Sequence, residues 1–231
     1  MNFIAIDVET ANADMSSICQ MGIAVFRDGQ LTGEWDTLID PQTYFDDINV
    51  GIHGIGPAEI SRAPRFPHIF PDLSKLLQEN TTVIHTHFDR VAIQQAATLH
   101  NLSLPTTTWL DTARVARRTW SEFSHKGFGL ANVCKKIGYE FKHHDALEDA
   151  KASGEILLAA ARKTGLNLEG WAKRVNQPID LSNSTPTSIK RTGNPEGLLS
   201  GEVIVFTGQL QITKHEAADL AANIGCDVGQ G

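Results

Sequence analysis

Apolar residues along this chain change their spacing twice, and each change marks a different kind of structure. Positions 2–8 (NFIAIDV) are almost continuously apolar and rich in branched side chains, as expected of a strand buried on both faces. Positions 18–26 and 31–40 read the same way and are separated by Arg27-Asp28-Gly29-Gln30. Asp-Gly supplies the positive-φ residues of a tight hairpin turn, so these two strands are expected to be antiparallel neighbours. Past Pro41 the period lengthens. Positions 69–77 and 91–99 carry helical spacing, 82–85 and 107–110 are short strand candidates, and helices are expected near 112–120 and 130–137. The clearest helical period runs through 145–162, on Ala146, Ala150, Ile156, Leu157, Ala160 and Ala161. A strand meander followed by alternating strands and helices predicts an α/β fold, a mixed sheet flanked by helices.

The second change comes after Lys173-Arg174-Val175. Positions 177–197 (QPIDLSNSTPTSIKRTGNPEG) are dominated by Pro, Ser, Thr, Asn and Gly, the composition of a linker. Beyond it, 202–206 (EVIVF) is a strand candidate, Thr207-Gly208 a turn and 214–224 an amphipathic helix, after which a further strand is expected as the sequence reaches Gly231. The division is therefore a domain over 1–176, a linker over 177–197 and a short segment over 198–231, too small for an independent core.

Composition narrows the classes. The 231 residues are 41% hydrophobic and 20% charged, an ordinary globular balance. No apolar run approaches the roughly 20 residues of a membrane-spanning helix. The first residues lack the basic region of a signal peptide and meet an acid at Asp7. Cys19, Cys134 and Cys226 are widely spaced and odd in number, which suits reduced thiols and a cytoplasmic location. A formal charge of −7 argues against holding nucleic acid by bulk positive charge.

Chemistry concentrates in three acidic motifs. Asp7-Val8-Glu9 puts two carboxylates at i and i+2, on one face if the first strand continues through them. Such a pair repels unless a cation lies between, and oxygen ligands suit Mg²⁺ or Mn²⁺. Asp89 stands where a short strand hands over to a helix. In His143-His144-Asp145-Ala146-Leu147-Glu148-Asp149, Asp145 and Glu148 fit a capping box, which brings His144 at N′ toward Asp149 at N4. Each motif alone also reads as a strand end, a helix cap or a surface helix start. His85, His87, His143 and His144 would suit zinc only in a spacing that matches no structural zinc site.

Taken in order, Asp-x-Glu, Asp and His-x-Ala-x-x-Asp resemble the DEDDh 3′–5′ exonucleases, the family of the DNA polymerase III epsilon subunit and RNase T, with a ribonuclease H-like fold. Asp7-Val8-Glu9-Thr10 matches the first motif, Phe88-Asp89 the second and His144-x-Ala146-x-x-Asp149 the third, within about residues 2–164. His53-Gly54-Ile55 and Asp111-Thr112 fall where the family has supporting segments, and His85 stands where many relatives carry Asn. The resemblance implies two divalent ions, Mg²⁺ or Mn²⁺, with Asp7, Glu9 and Asp149 on the first, Asp7 bridging, and Asp89 on the second. It implies His144 as general base and nucleoside 5′-monophosphates as products. Thr10, His53, Gly54, Ile55 and Phe88 would contact the terminal nucleotide, Ile55 as an apolar wedge.

The implied partner is a nucleic-acid 3′ end, single-stranded DNA first and RNA as the alternative. Two divalent ions would bring the charge to about −3, which answers the objection from acidity. Arg114, Arg117, Arg118 and Lys135-Lys136 could track phosphates or form solvated helix faces. The segment from Gly201 through Phe206-Thr207-Gly208 to Ile224-Gly225 resembles the start of a BRCT domain, which would make it a partial BRCT-like tail and a contact for replication or repair proteins. A non-catalytic module docking through that tail is the alternative from a different class.

Overall fold

A computed structural model describes residues 1–179, 190–206, 212 and 214–229, and the chain divides into two compact units, 1–179 and 180–231. The first unit is built on a five-stranded sheet. Strands β1 (Phe3–Thr10), β2 (Ile18–Arg27) and β3 (Gln30–Leu38) form an antiparallel meander, and β4 (Thr82–Ile84) and β5 (Trp109–Asp111) add in parallel, in the order β3-β2-β1-β4-β5. Asp28 and Gly29 close the β2–β3 hairpin with φ of 53° and 77°, the two left-handed residues that Asp-Gly was expected to supply.

Side chains of β1 divide by parity, as a pleated strand requires. Phe3 and Ala5 enter one core with Phe26, Leu110, Val115, Ile156 and Leu157, while Ile4, Ile6 and Val8 enter a second with Ile23, Leu73, Leu77 and Ile93. Both faces are covered by helices: α6 (Ala146–Thr164) and α4 (Thr112–Thr119) serve the first core, and α2 (Phe66–Glu79) and α3 (Phe88–Leu99) the second. The remaining helices of this unit are α1 (Asp47–His53), α5 (Leu130–Ile137) and α7 (Leu168–Arg174), which buries Trp171 in the first core.

The structure departs from the sequence reading in instructive places. Helix α2 begins at Phe66, before the expected start, because Pro67 lies in its first turn, where backbone N–H groups need no partner. Helix α1 was not expected at all, since none of its residues is buried and it therefore has no core-facing stripe. The first strand runs on to Thr10, past the expected end at Val8, and this extension puts Glu9 on the same strand as Asp7.

Helix α6 comes unusually close to the sheet. A Cβ on Gly22, the register partner of Asp7, would fall within the backbone of Ala146 and Leu147, and one on Gly154 would fall within the Phe26 ring. Gln20 then fastens the helix entrance: its Oε1 accepts from the Ala146 amide at 3.2 Å and its Nε2 donates to Asp36 at 3.0 Å.

In the second unit, β6 (Val203–Ile204) pairs in parallel with β7 (Asp227–Val228), and α8 (Lys214–Asn223) lies between them in sequence, with Ala218, Ala221, Cys226 and Val228 as the apolar cluster. Thr207 and Gly208, which carry the BRCT-like turn, and residues 180–189 of the expected linker lie outside the described residues. Arg191 bridges to Val228, and Gly193 and Gly197 lie against the Gly225 turn, so residues 191–197 pack within this unit. Among the described residues no helix is long and apolar enough to cross a membrane.

The substitution Gly22→Ala is expected to force the first turn of α6 outward and to cost about 1–3 kcal/mol of stability. Urea unfolding of the variant against the parent measures this, and an unchanged midpoint would contradict the close approach.

Candidate active site

Backbone pairing sets the position of the acids. On one side β1 pairs with β2 along its length, but on the other its pairing with β4 covers only Ile4↔Thr82 and Ala5↔Val83. Beyond Ala5 the strand is open toward β4, and Asp89, in the first turn of α3, fills the gap: its Oδ1 accepts from the Val8 amide at 3.2 Å. Asp7 and Glu9 share the parity of Phe3 and Ala5, so they point to the face covered by α6, whose first turn carries Asp149. Ligand oxygens of Asp7, Glu9 and Asp149 lie within 4.8 Å of one another.

Asp89 and Asp149 are almost fully buried, at 2% and 3% exposure. Burial raises the pKa of Asp7 well above the carboxylate range, and the charges of Asp89, Asp149 and Glu9 raise it further. Burial, then Asp149 and Asp145, push Glu9 to about 7. Asp89 is driven to about 8, chiefly by burial, against the opposing amide bond from Val8. Asp149 is also raised by burial, although His143 partly offsets this. Asp89 Oδ2 is buried and has no hydrogen-bond partner among the described residues. Four hard oxygen donors that repel one another, one with an unused buried oxygen, fit divalent cations of the Mg²⁺ or Mn²⁺ kind.

The histidines are arranged differently from expectation. Asp145 caps α6, accepting from the Glu148 amide at 3.5 Å, but the Glu148 carboxylate turns to Lys151 at 2.9 Å, so the capping box is one-sided. His144 adopts φ 64° and reaches Asp149 through its backbone N–H, at 3.2 Å. The imidazole placed on Asp149 is that of His143, with Nδ1 at 3.0 Å from Oδ2. The His144 ring is exposed and stacks on His143, centroids 3.9 Å apart, and burial with the neighbouring His143 lowers its pKa, which leaves it neutral and able to accept a proton at neutral pH.

Thr10 is buried and serves the scaffold: its carbonyl accepts from Asn49 Nδ2 at 2.9 Å and faces His53 Nε2 at 3.2 Å. His53 Nδ1 accepts from the Ile55 amide at 3.0 Å, which leaves Nε2 as the donor to Thr10. Gly54 ends α1 in the left-handed region, at φ 78°. Ile55 is not the exposed wedge expected of it, because its side chain packs against Ala11 and Cys19. The exposed apolar residues of this region are Tyr44, Ile48 and Ile52, with Phe88 at the start of α3. Ile48 and Ile52 were missed, although their i, i+4 spacing was available in the sequence.

His85 points into the protein, with Nδ1 at 2.8 Å from Thr112 Oγ1 and Nε2 at 2.9 Å from the Phe128 carbonyl, and burial lowers its pKa to about 4. Among the described residues neither His85 nor His87 joins a metal-ligand cluster with His143 and His144. Arg117 donates to the Ser124 carbonyl and lies over the Phe128 ring, Arg118 holds the Gln177 carbonyl, and Lys136 pairs with Glu122.

Residues 4–157 match the family model described as Exonuclease, RNase T. The chain belongs to this exonuclease family. A DNA polymerase III of PolC type from Thermotoga petrophila is 25% identical over 195 residues, covering 80% of this chain but only 14% of that polymerase. Among solved structures, exonuclease X in complex with 5′ overhanging duplex DNA superposes with a TM-score of 0.62 at 19% identity, over 75% of this chain and 99% of that one. The nuclease domain of 3′hExo, a DEDDh family member bound to rAMP, gives 0.58 at 15% identity, over 71% and 92%. The fold of the exonuclease domain is thus ribonuclease H-like, and the four acids sit on it in the second half of β1 and in the first turns of α3 and α6.

Carboxyls raised in this way stay protonated in the folded protein at pH values where the unfolded chain has lost those protons. The stability they contribute is full below about pH 4 and is lost as pH rises through about 7 to 8. The metal-free protein is therefore expected to lose thermal stability over this range. Mg²⁺ or Mn²⁺ should restore it at the alkaline end, and Asp149→Asn should flatten the profile. Scanning fluorimetry with and without metal checks this; a metal-insensitive Tm would count against the site.

Proposed function

We propose that this exonuclease-family protein is a metal-dependent 3′–5′ exonuclease that removes nucleoside 5′-monophosphates from single-stranded DNA ends. The observation that carries the reading is the convergence of Asp7, Glu9, Asp89 and Asp149 with an unpartnered buried oxygen on Asp89. Asp7, Glu9 and Asp149 would hold one divalent ion, and Asp89 with Asp7 a second. Bound there, such ions stabilise charge on the entering and leaving oxygens of a phosphoryl transfer.

The chain's own groups divide the remaining work. A neutral His144 takes a proton from water as that water attacks the phosphorus of the terminal phosphodiester. The bond from phosphorus to the 3′ oxygen of the preceding nucleotide breaks, and that oxygen leaves with a proton from solvent. Water is thereby split between a nucleoside 5′-monophosphate and a new 3′ hydroxyl. The exposed ring of His144, stacked on His143, gives it access to that water, while its amide keeps Asp149 in place. Ile48, Ile52 and Phe88 offer apolar surface for the terminal base, and the His53–Thr10 bond fixes the helix that presents it.

DNA is favoured because the polymerase relatives are DNA polymerases and exonuclease X is solved on DNA; the rAMP held by 3′hExo supports RNA as the second reading. The intact acid set argues against a purely docking role. Purified protein titrated with Mg²⁺ or Mn²⁺ on matched 3′-labelled DNA and RNA strands is expected to release 5′-monophosphates stepwise, faster from DNA. Asp7→Ala should abolish release, and His144→Ala should lower kcat by about 10²–10⁴ with the far-ultraviolet spectrum unchanged. Undiminished release by Asp7→Ala would overturn the reading.

A further inference from the structure

Strands β1, β4 and β5 are parallel, so their carboxyl ends open on one edge of the sheet, where ligands of such sheets gather. The acids occupy the β1 side of that edge. On the β5 side a separate cleft of about 300 Å³ opens, and its Trp109 packs with the α2 and α3 core rather than on the α6 face to which Asp7 and Glu9 point. It is lined by Ile84, His87, Arg90, Trp109, Asp111 and Arg114, with the end of α7 beside it. His87 and Arg90 flank Asp89 in sequence, so this cleft and the acid cluster lie on either side of the first turn of α3. A second hollow of about 400 Å³ shares Arg90 and Trp109 and continues past Gln94, Leu102 and Leu104. Through these shared residues the two hollows join into one groove, cationic at His87, Arg90 and Arg114 and mixed beyond, where Leu102 and Leu104 stand beside Gln94 and Thr98.

The charges of this groove are not used by the fold. Among the described residues the guanidinium groups of Arg90 and Arg114 have no carboxylate partner, whereas Arg117 and Arg118 are committed to carbonyl oxygens. The one acid in the cleft, Asp111, is the N-cap of α4. Its Oδ1 accepts from the amides of Thr86, Ala113 and Arg114 at 3.0, 2.8 and 3.3 Å, which disperses much of its charge. In a chain of net charge −7, two free arginines beside a half-buried tryptophan form a local exception.

We propose that this groove holds the substrate strand upstream of its 3′ end, Arg90 and Arg114 on successive phosphates and Trp109 with Leu102 and Leu104 against an unstacked base. The combination of free guanidinium groups with an aromatic wall is the chemistry of single-strand binding. The groove supplies a grip that the acidic centre lacks, and it is selective for a flexible single strand, whose bases are free to turn toward Trp109. The proposal rests on the nuclease reading for the direction of the strand, and it requires substrates to bind more tightly once long enough to cross α3.

The test uses the whole chain and two probes: a fluorescein-labelled oligothymidylate and a dinucleotide too short to leave the acid cluster. Arg90→Glu/Arg114→Glu is expected to weaken oligonucleotide binding, read by fluorescence anisotropy, by about tenfold or more. KM and kcat on the dinucleotide should stay as in the parent. The slope of log affinity against log salt should fall by about 1.4, some 0.7 for each lost phosphate contact, and Arg90→Lys/Arg114→Lys should retain it. Equal losses on both probes, no loss on either, absent oligonucleotide binding by the parent, or equal displacement by polyglutamate would each overturn the groove. Binding that depends on the two arginines in a protein that cleaves neither probe would sink the nuclease reading and leave the groove standing. Cleavage of both probes with no effect of the charge reversal does the reverse.

Discussion

Carboxylates do not gather unaided, and the site depends on the packing that forces them together. Four acids are pressed into a space where burial raises the proton affinity of each and neighbouring carboxylates raise that of Asp7, Glu9 and Asp89 further, and the force comes from apolar burial elsewhere. Helix α6 seats Ala150, Ile156 and Leu157 against Phe3, Ala5 and Phe26, and the absence of side chains at Gly22 and Gly154 allows it to come down to backbone contact. The cost of crowding charges is thus set against the much larger gain from a core covering both faces of β1. Gln20 and the Asp145 cap then fix which turn of the helix faces the strand.

The same strand performs two tasks because its pairing is uneven. Where β1 is paired on both sides it is pure core, and where β4 falls away its amides become available to a side chain. Asp89 is held by the Val8 N–H in that vacated position, so the change from fold to site occurs between Ala5 and Asp7. This makes the acids rigid in position while leaving Asp89 Oδ2 unspent, the combination expected of a preorganised ligand set.

How much of this was legible in the sequence follows from what kind of signal each residue carries. Strand parity and helix starts are local, so Asp7, Glu9, Asp89 and Asp149 could be read with their faces. The hairpin at Asp28-Gly29 was equally local. Which of two adjacent imidazoles lies on Asp149 was not legible, because it turns on the positive φ of His144, which the docked helix imposes. From the sequence Ile55 reads as the wedge beside the glycine turn, and Ile52 on its other side is passed over. Only the packing of Ile55 on Ala11 and Cys19 separates the buried one from the exposed one. Helix α1 buries no side chain, and its only apolar signal is the short Ile48 and Ile52 pair, which no core-facing stripe extends.

The span of chain between the parts of the site has a consequence for biogenesis. The meander β1–β2–β3 is made of near neighbours and can form early, but the bond from Val8 to Asp89 joins residues 81 apart, and that from Ala146 to Gln20 residues 126 apart. A chain emerging from the ribosome therefore presents Asp7 and Glu9 long before α6 brings Asp149 to meet them. Until that helix docks, the nascent protein holds an incomplete set of ligands and has no means of attacking the nucleic acid around it. Late closure of these sequence-distant contacts thus sets the order in which the acids meet.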